Sequence, residues 1–151
     1  GRCDVYTTDA SGLSSTRAAA ANPNKWVVLP EIISKEPLGP LVRHGDHQWG
    51  DVVRWSLNAM IIAEELGISS ANVDASLGSN VPEVLRLLGV EGSYGEMLEL
   101  APDWAYQIIK QIGNYSESYE ANVGPDTPLE IARGLNALWT QGGILYAPPF
   151  R

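Results

Sequence analysis

The stretch Gly1-Arg-Cys-Asp-Val-Tyr-Thr-Thr-Asp9-Ala-Ser-Gly-Leu13 decides how the rest of the chain is read. Cys3 to Thr8 is apolar, hydroxylated and β-branched, which predicts a strand, and the strand stops on an acid, Asp9, followed by small residues able to start a helix. A carboxylate at a strand end, with Thr7 and Thr8 beside it, can accept charge-assisted hydrogen bonds from a small ammonium group, and ligands of α/β sheets gather at strand carboxyl ends. Asp9 can equally cap the helix that follows. Both roles stay open at this level. The chain opens on this strand with no initiator methionine and no earlier element to pair with, so the expectation is the later part of something longer.

Outward from Asp9, the alanine-rich run Ser14 to Ala21 predicts a helix closed at Asn22-Pro23-Asn24, because proline disfavours helix in the residue before it. Trp26 to Leu29 or slightly beyond, and Leu38 to Arg43, then predict two more short strands. After Gly45 the pattern turns helical: Asp46 is a plausible N-cap, Trp49, Val52, Val53, Leu57, Met60 and Ile61 share a face, and Gly67 closes the helix. Residues 69 to 81 are rich in Ser, Asn and Gly and predict a loop. Pro82 suits the first turn of a helix reaching Leu88 and Gly89, and Pro102 starts another, with Trp104, Ala105, Ile108, Ile109 and Ile112 inward and Gly113 as its stop. Thr127-Pro-Leu-Glu130 has the form of a capping box with proline at N1, predicting a last helix through Leu135, Leu138 and Trp139 to Gly142-Gly143. The tail from Ile144 is expected to pack as an extended strap.

Three strands are too few for the apolar helix faces present, so further strands are expected from elsewhere. At 151 residues, 44% hydrophobic and with mean hydropathy near zero, the composition is that of a soluble globular chain. The net charge of −8, with ten scattered Lys and Arg, argues against a nucleic-acid partner, which needs a basic stripe. Cys3 is the one cysteine and has no internal disulfide partner; a buried strand thiol and a partner upstream are both open.

His44, Asp46 and His47 are the only histidine cluster, and with no third ligand at a known spacing they read as a turn before a helix, so no metal or other cofactor is expected. No Gly-x-Ser-x-Gly elbow occurs, and the glycines of Leu77-Gly-Ser-Asn and Glu91-Gly-Ser-Tyr-Gly open no phosphate fingerprint. Trp49, Trp55, Trp104 and Trp139 are expected in the core, with Trp26 also packing, and the triplet Asn114-Tyr-Ser is given no role.

Gly1 to Asp9, followed about thirty residues later by Lys35-Glu-Pro-Leu-Gly-Pro-Leu-Val-Arg43-His-Gly-Asp46, resembles the amino-acid-binding branch of the periplasmic solute-binding proteins that serve ABC importers. Ala63-Glu-Glu-Leu-Gly67, Ile112-Gly-Asn-Tyr115, Arg133-Gly-Leu-Asn-Ala-Leu-Trp139 and the tail Gly142 to Arg151 are similar to its general (polar) L-amino-acid members. The resemblance implies an α/β chain forming part of a two-lobed periplasmic-binding-protein type II fold, with few strands and a helix-rich C-terminal extension. Residues 1–33 would end the second lobe, 34–37 would be the hinge return, and 38–151 would be the C-terminal part of the first lobe with its extension. Asp9 matches the aspartate that receives the ligand's α-amino group, and Thr8 the pocket position before it. The implied activity is capture of an L-amino acid in the periplasm and delivery to membrane permease subunits, without bond chemistry. The arginine that holds the ligand carboxylate in this family has no match here, so an N-terminal half of the same protein is implied as the partner that supplies it. These residues alone are expected neither to fold stably nor to bind an amino acid tightly. Two alternatives stand beside this: a periplasmic dehydratase of the same fold, which needs a general acid or base, and a helical module docking a partner through residues 48–66 and 127–140.

Overall fold

Helix signals carried by single residues act where they stand. In the computed structural model, which describes residues 2–35 and 37–150, the α-helices of the described residues are α1 (Ala10–Ala18), α2 (His47–Glu65), α3 (Val73–Ser76), α4 (Pro82–Leu87), α5 (Tyr94–Met97), α6 (Trp104–Ile112) and α7 (Tyr115–Asn122). The Asp46 carboxylate accepts from Trp49 N at 3.1 Å and caps α2. At the other end Gly67 takes φ 69°, Gly67 N donates to the Glu64 carbonyl and Ile68 N to the Ala63 carbonyl at 2.7 Å: a Schellman motif with buried Ile68 as its apolar contact. α4 starts on Pro82 and closes the same way at Gly89, φ 74°, where an added Cβ would lie 1.9 Å from the Pro102 carbonyl oxygen. α5 repeats the motif with Glu99 in the left-handed position, φ 57°.

The chain divides into two units: unit 1 is Gly1–Gly39 with Glu120–Ala132, and unit 2 is Pro40–Tyr119 with Arg133–Arg151. Unit 2 holds the core. Ala59, Ile61, Ile62 and Ala63 of α2 pack with Val84 and Leu87 of α4 and with Trp104, Ala105 and Ile109 of α6. The strap expected from Ile144 onward is present, and its Phe150, 5% exposed, meets the rings of Trp55, Tyr94 and Trp104 at 5.1, 5.2 and 6.2 Å. Among the described residues one parallel bridge, Leu138 to Leu145, ties the strap to the preceding turn. Tyr106 and Lys110 of α6 both reach Asp74 of α3.

In unit 1, α1 and the turn Pro23–Lys25 are followed by extended chain, and Arg17 pairs with Glu130 at 2.6 Å. Among its described residues no apolar side chain is buried; Ser14 is buried instead.

The three predicted strands are corrected. Cys3–Thr8, Trp26–Leu29 and Leu38–Arg43 run extended but join no sheet among the described residues. A strand exists by pairing with a neighbour, and here there is none; Val27 and Leu41 are 80% and 99% exposed, and Trp26 and Cys3 are exposed as well. The hinge return expected at 34–37 includes Glu36, which lies outside the described residues, as do Gly1 and Arg151.

Further corrections concern the helices. The helix predicted from Thr127 is absent: Thr127 Oγ1 donates to the Gly124 carbonyl and accepts from Leu129 N, Glu130 turns to φ 52°, and Ile131 N donates to the Val123 carbonyl. The residues that follow form only short 3-10 turns, Gly134–Asn136 and Trp139–Gln141. A reciprocal capping box stands elsewhere, at Asn114: Asn114 Oδ1 accepts from Glu117 N at 3.0 Å and Glu117 accepts from Asn114 N at 2.8 Å, starting α7. Inside the predicted loop 69–81, α3 forms and buries Val73. Trp49, Leu57, Ile112 and Trp139 are exposed, while Val52 and Trp55 of α2 pack against the core.

Candidate ligand-binding site

Extended backbone from Cys3 leads to Asp9 at φ −59° and ψ 154°, a non-helical residue whose carbonyl already accepts from Leu13 N at 2.9 Å. Its side chain folds over the first turn of α1. Oδ2 accepts from Ser11 Oγ at 2.6 Å and from Gly12 N at 2.9 Å, and Oδ1 from Thr8 Oγ1 at 3.1 Å. The capping role open in the sequence is therefore the one seen. Hydrogen bonds from Ser11 first, then Gly12 and Thr8, hold the carboxyl below its ordinary range, so it is an anion at neutral pH.

The geometry leaves chemistry to spare. A carboxylate offers about four lone-pair sites, and among the described residues three are used, two of them on Oδ2. Oδ1, with Thr8 as its donor, is the less occupied oxygen. Asp9 is partly exposed and Thr8 is exposed, its hydroxyl hydrogen directed to Asp9. Gly12 makes this placement possible, since an added Cβ would lie 3.0 Å from Oδ1 and 3.3 Å from Oδ2.

Ser11 is the partner that strand-end reasoning missed; its signal was the spacing Asp9-Ala-Ser11, which lets a hydroxyl two residues on reach back to the acid. Asp9 lines neither the depression of about 450 Å³ bounded by Arg17, Trp26 and Glu130 nor that of about 360 Å³ bounded by Arg43, His44, Gly45 and Asp46. Asp46 is engaged as a cap, and among the described residues no three His, Cys, Asp or Glu side chains converge on a metal position. No helix of the described residues is long and apolar enough to cross a membrane.

No protein-family model matches the chain. It is 58% identical over 152 residues to the glutamate/glutamine/aspartate/asparagine-binding protein BztA of Rhodobacter capsulatus and 58% identical over 153 residues to the general L-amino acid-binding periplasmic protein AapJ of Rhizobium johnstonii. Each match takes in 100% of this chain and 45% of the relative, so the chain spans about half the length of the curated relatives it matches. A solved structure of an ABC transporter periplasmic binding protein from Brucella ovis with glutathione bound superposes on 99% of the chain, and on 47% of that protein, with a TM-score of 0.95 at 54% identity. From end to end, then, this chain is similar to just under half of an amino-acid-binding periplasmic protein of the ABC-transporter kind.

Proposed function

We propose that the chain is part of the substrate-binding component of an ABC importer for L-amino acids, working in the periplasm and binding without bond chemistry. The observation that carries this is the similarity over the whole chain to BztA and AapJ, whose names state amino-acid binding. In this reading Asp9 receives the ligand's α-ammonium on Oδ1, and Thr8 lines the same pocket while fixing that oxygen. Residues 1–33 belong to the second lobe of a two-lobed α/β type II fold, 34–37 to the hinge return, and 38–151 to the first lobe with its helical extension. The exposed runs around Val27 and Leu41 become sheet strands against the rest of the polypeptide, which also supplies a cation for the ligand carboxylate. Closure of the lobes buries the ligand and presents one surface to the permease, so capture and delivery share one equilibrium. A dehydratase reading lacks support: Asp9 is held as an anion by three hydrogen bonds, which suits it to hold a cation and leaves it a weak base.

The ligand of the Brucella ovis protein favours one extension. Glutathione carries a free α-ammonium and α-carboxylate at its γ-glutamyl end, the same pair an amino acid presents, so Asp9 could anchor either. Calorimetric titration of the full-length protein with L-glutamate, L-glutamine, L-aspartate and glutathione tests the reading. Micromolar or tighter binding of at least one, weakened by Asp9→Asn, is expected; no binding of any of the four contradicts it.

A further inference from the structure

Residues 120–132 leave unit 2 after Tyr119 and return to it at Arg133, and side chains secure both ends of that excursion. At the return, Arg133 is largely enclosed, its side chain 15% exposed against 9% for its partner Glu64. Its Nη2 donates to Glu64 Oε1 and Oε2 at 3.0 and 3.1 Å, and Nη2 and Nε donate to the Asn136 carbonyl at 2.9 and 3.1 Å. Its guanidinium lies 5.3 Å from the ring centres of both Tyr115 and Tyr119, the i, i+4 pair on the part of α7 by which the chain departs. One side chain thus grips the departure, the return and the last turn of α2. Three residues earlier, in unit 1, Glu130 is held at φ 52° with its carboxylate on Arg17. A left-handed glutamate is strained, and a strained residue persists where its surroundings hold it.

We infer that residues 120–132 are a tether, clamped in unit 2 by Arg133 and in unit 1 by Arg17–Glu130. Arg17 lies in the last turn of α1, the helix whose first turn is built on Asp9. A displacement of α1 on ligand binding is therefore passed along Glu130 to Arg133 and on to Glu64 at the end of α2. Arg133 and Arg17 are positioning residues, and neither touches the ligand. The inference rests on the proposed function for the identity of the event at Asp9, but the clamp itself does not.

Hydrogen exchange of the full-length protein, with and without L-glutamine, separates the two. In Arg133→Met the amides of 123–131 should exchange about tenfold faster while those of α6 keep their rate, and Arg133→Lys should fall between. In wild type, glutamine should slow exchange of the amides of residues 64–67; in Arg17→Met, saturated with glutamine, that slowing should be lost. Unchanged exchange of 123–131 in Arg133→Met, or general loss of unit 2 protection in both Arg133 variants, overturns the clamp. Equal glutamine protection of residues 64–67 in wild type and Arg17→Met overturns the transmission. Where glutamine does not bind, whichever of L-glutamate, L-aspartate or glutathione does bind takes its place; a wild type that binds none of the four overturns the proposed function and the transmission, and leaves the 123–131 result to judge the clamp.

Discussion

Asp9 shows how one carboxylate can cap a helix with its two oxygens unequally used, and the proposed ligand role rests on the less occupied one. The same bonds define its pH behaviour. Its folded pKa lies below the ordinary 3.8, so its contribution to α1 is complete above that value and is lost as pH falls through the lower, folded one. Glu117 follows the same sign: burial pushes its pKa up, but bonds from Ser70 and Asn114 outweigh this and hold it below the ordinary 4.5. An acid titration followed by residue-resolved NMR should therefore show the first turns of α1 and α7 intact down to about pH 4 and loosening below it. Gly12→Ala should disturb the Asp9 carboxylate with little loss of helix, readable as a weakened Ser11 hydroxyl bond. Glu99 offers a test of opposite sign: it fills the left-handed position that glycine fills at Gly67 and Gly89, so Glu99→Gly should raise stability by up to about 1 kcal/mol in urea unfolding. Gly89→Ala should lower it by more than that, since backbone strain and the Pro102 carbonyl both oppose a Cβ.

At the scale of elements, the signals legible in the sequence were those complete within a few residues. Asp46, Gly67, Pro82 and Gly113 each mark a helix end that the structure places there, because a cap needs only its own helix. Thr127-Pro-Leu-Glu130 and Asn114-Tyr-Ser-Glu117 look alike on paper, yet only the second is a box. Glu130 is drawn away to Arg17, and Thr127 spends its hydroxyl on the Gly124 turn, whereas nothing competes for Glu117 except Ser70, which pulls it the same way. The strands were not legible as elements at all, since β-branched composition describes a run's preference and pairing is decided by residues far away. Around Asp9, its capping role and the neighbouring Thr8 hydroxyl were legible, Ser11 was not, and Arg133 with Glu64 was invisible because the pair spans much of the chain. That enclosed pair should matter where it stands: Arg133→Met takes the guanidinium from Glu64 and frees the return, so its effect should appear as faster exchange of 123–131 with the midpoint of unit 2 in denaturant unfolding, monitored at the core tryptophans, nearly unchanged. Phe150→Ala should instead lower the stability of unit 2 by about 3–5 kcal/mol, by emptying the space between three aromatic rings.

For the whole molecule the two units differ in kind. Unit 2 buries a continuous apolar cluster, while the described part of unit 1 fully buries none of its apolar side chains and is held by hydrogen bonds, one ion pair and short turns. The isolated chain should consequently show slow hydrogen exchange in α2, α4 and α6 and near-immediate exchange over the unpaired runs 3–8 and 26–29, with the latter becoming protected only in the full-length protein. Protection of those runs in the isolated chain would contradict their reading as strands awaiting a sheet.

The central claim, that Asp9 accepts the ammonium of an amino acid, is tested most directly by a double comparison in the full-length protein. Calorimetry would set L-glutamine against its analogue lacking the α-amino group, on wild type and Asp9→Asn. A charge-assisted hydrogen bond of about 1.5–3 kcal/mol predicts that Asp9→Asn weakens glutamine binding by about 10- to 100-fold and leaves the analogue nearly unaffected. Equal weakening of both ligands, or of neither, would contradict the account.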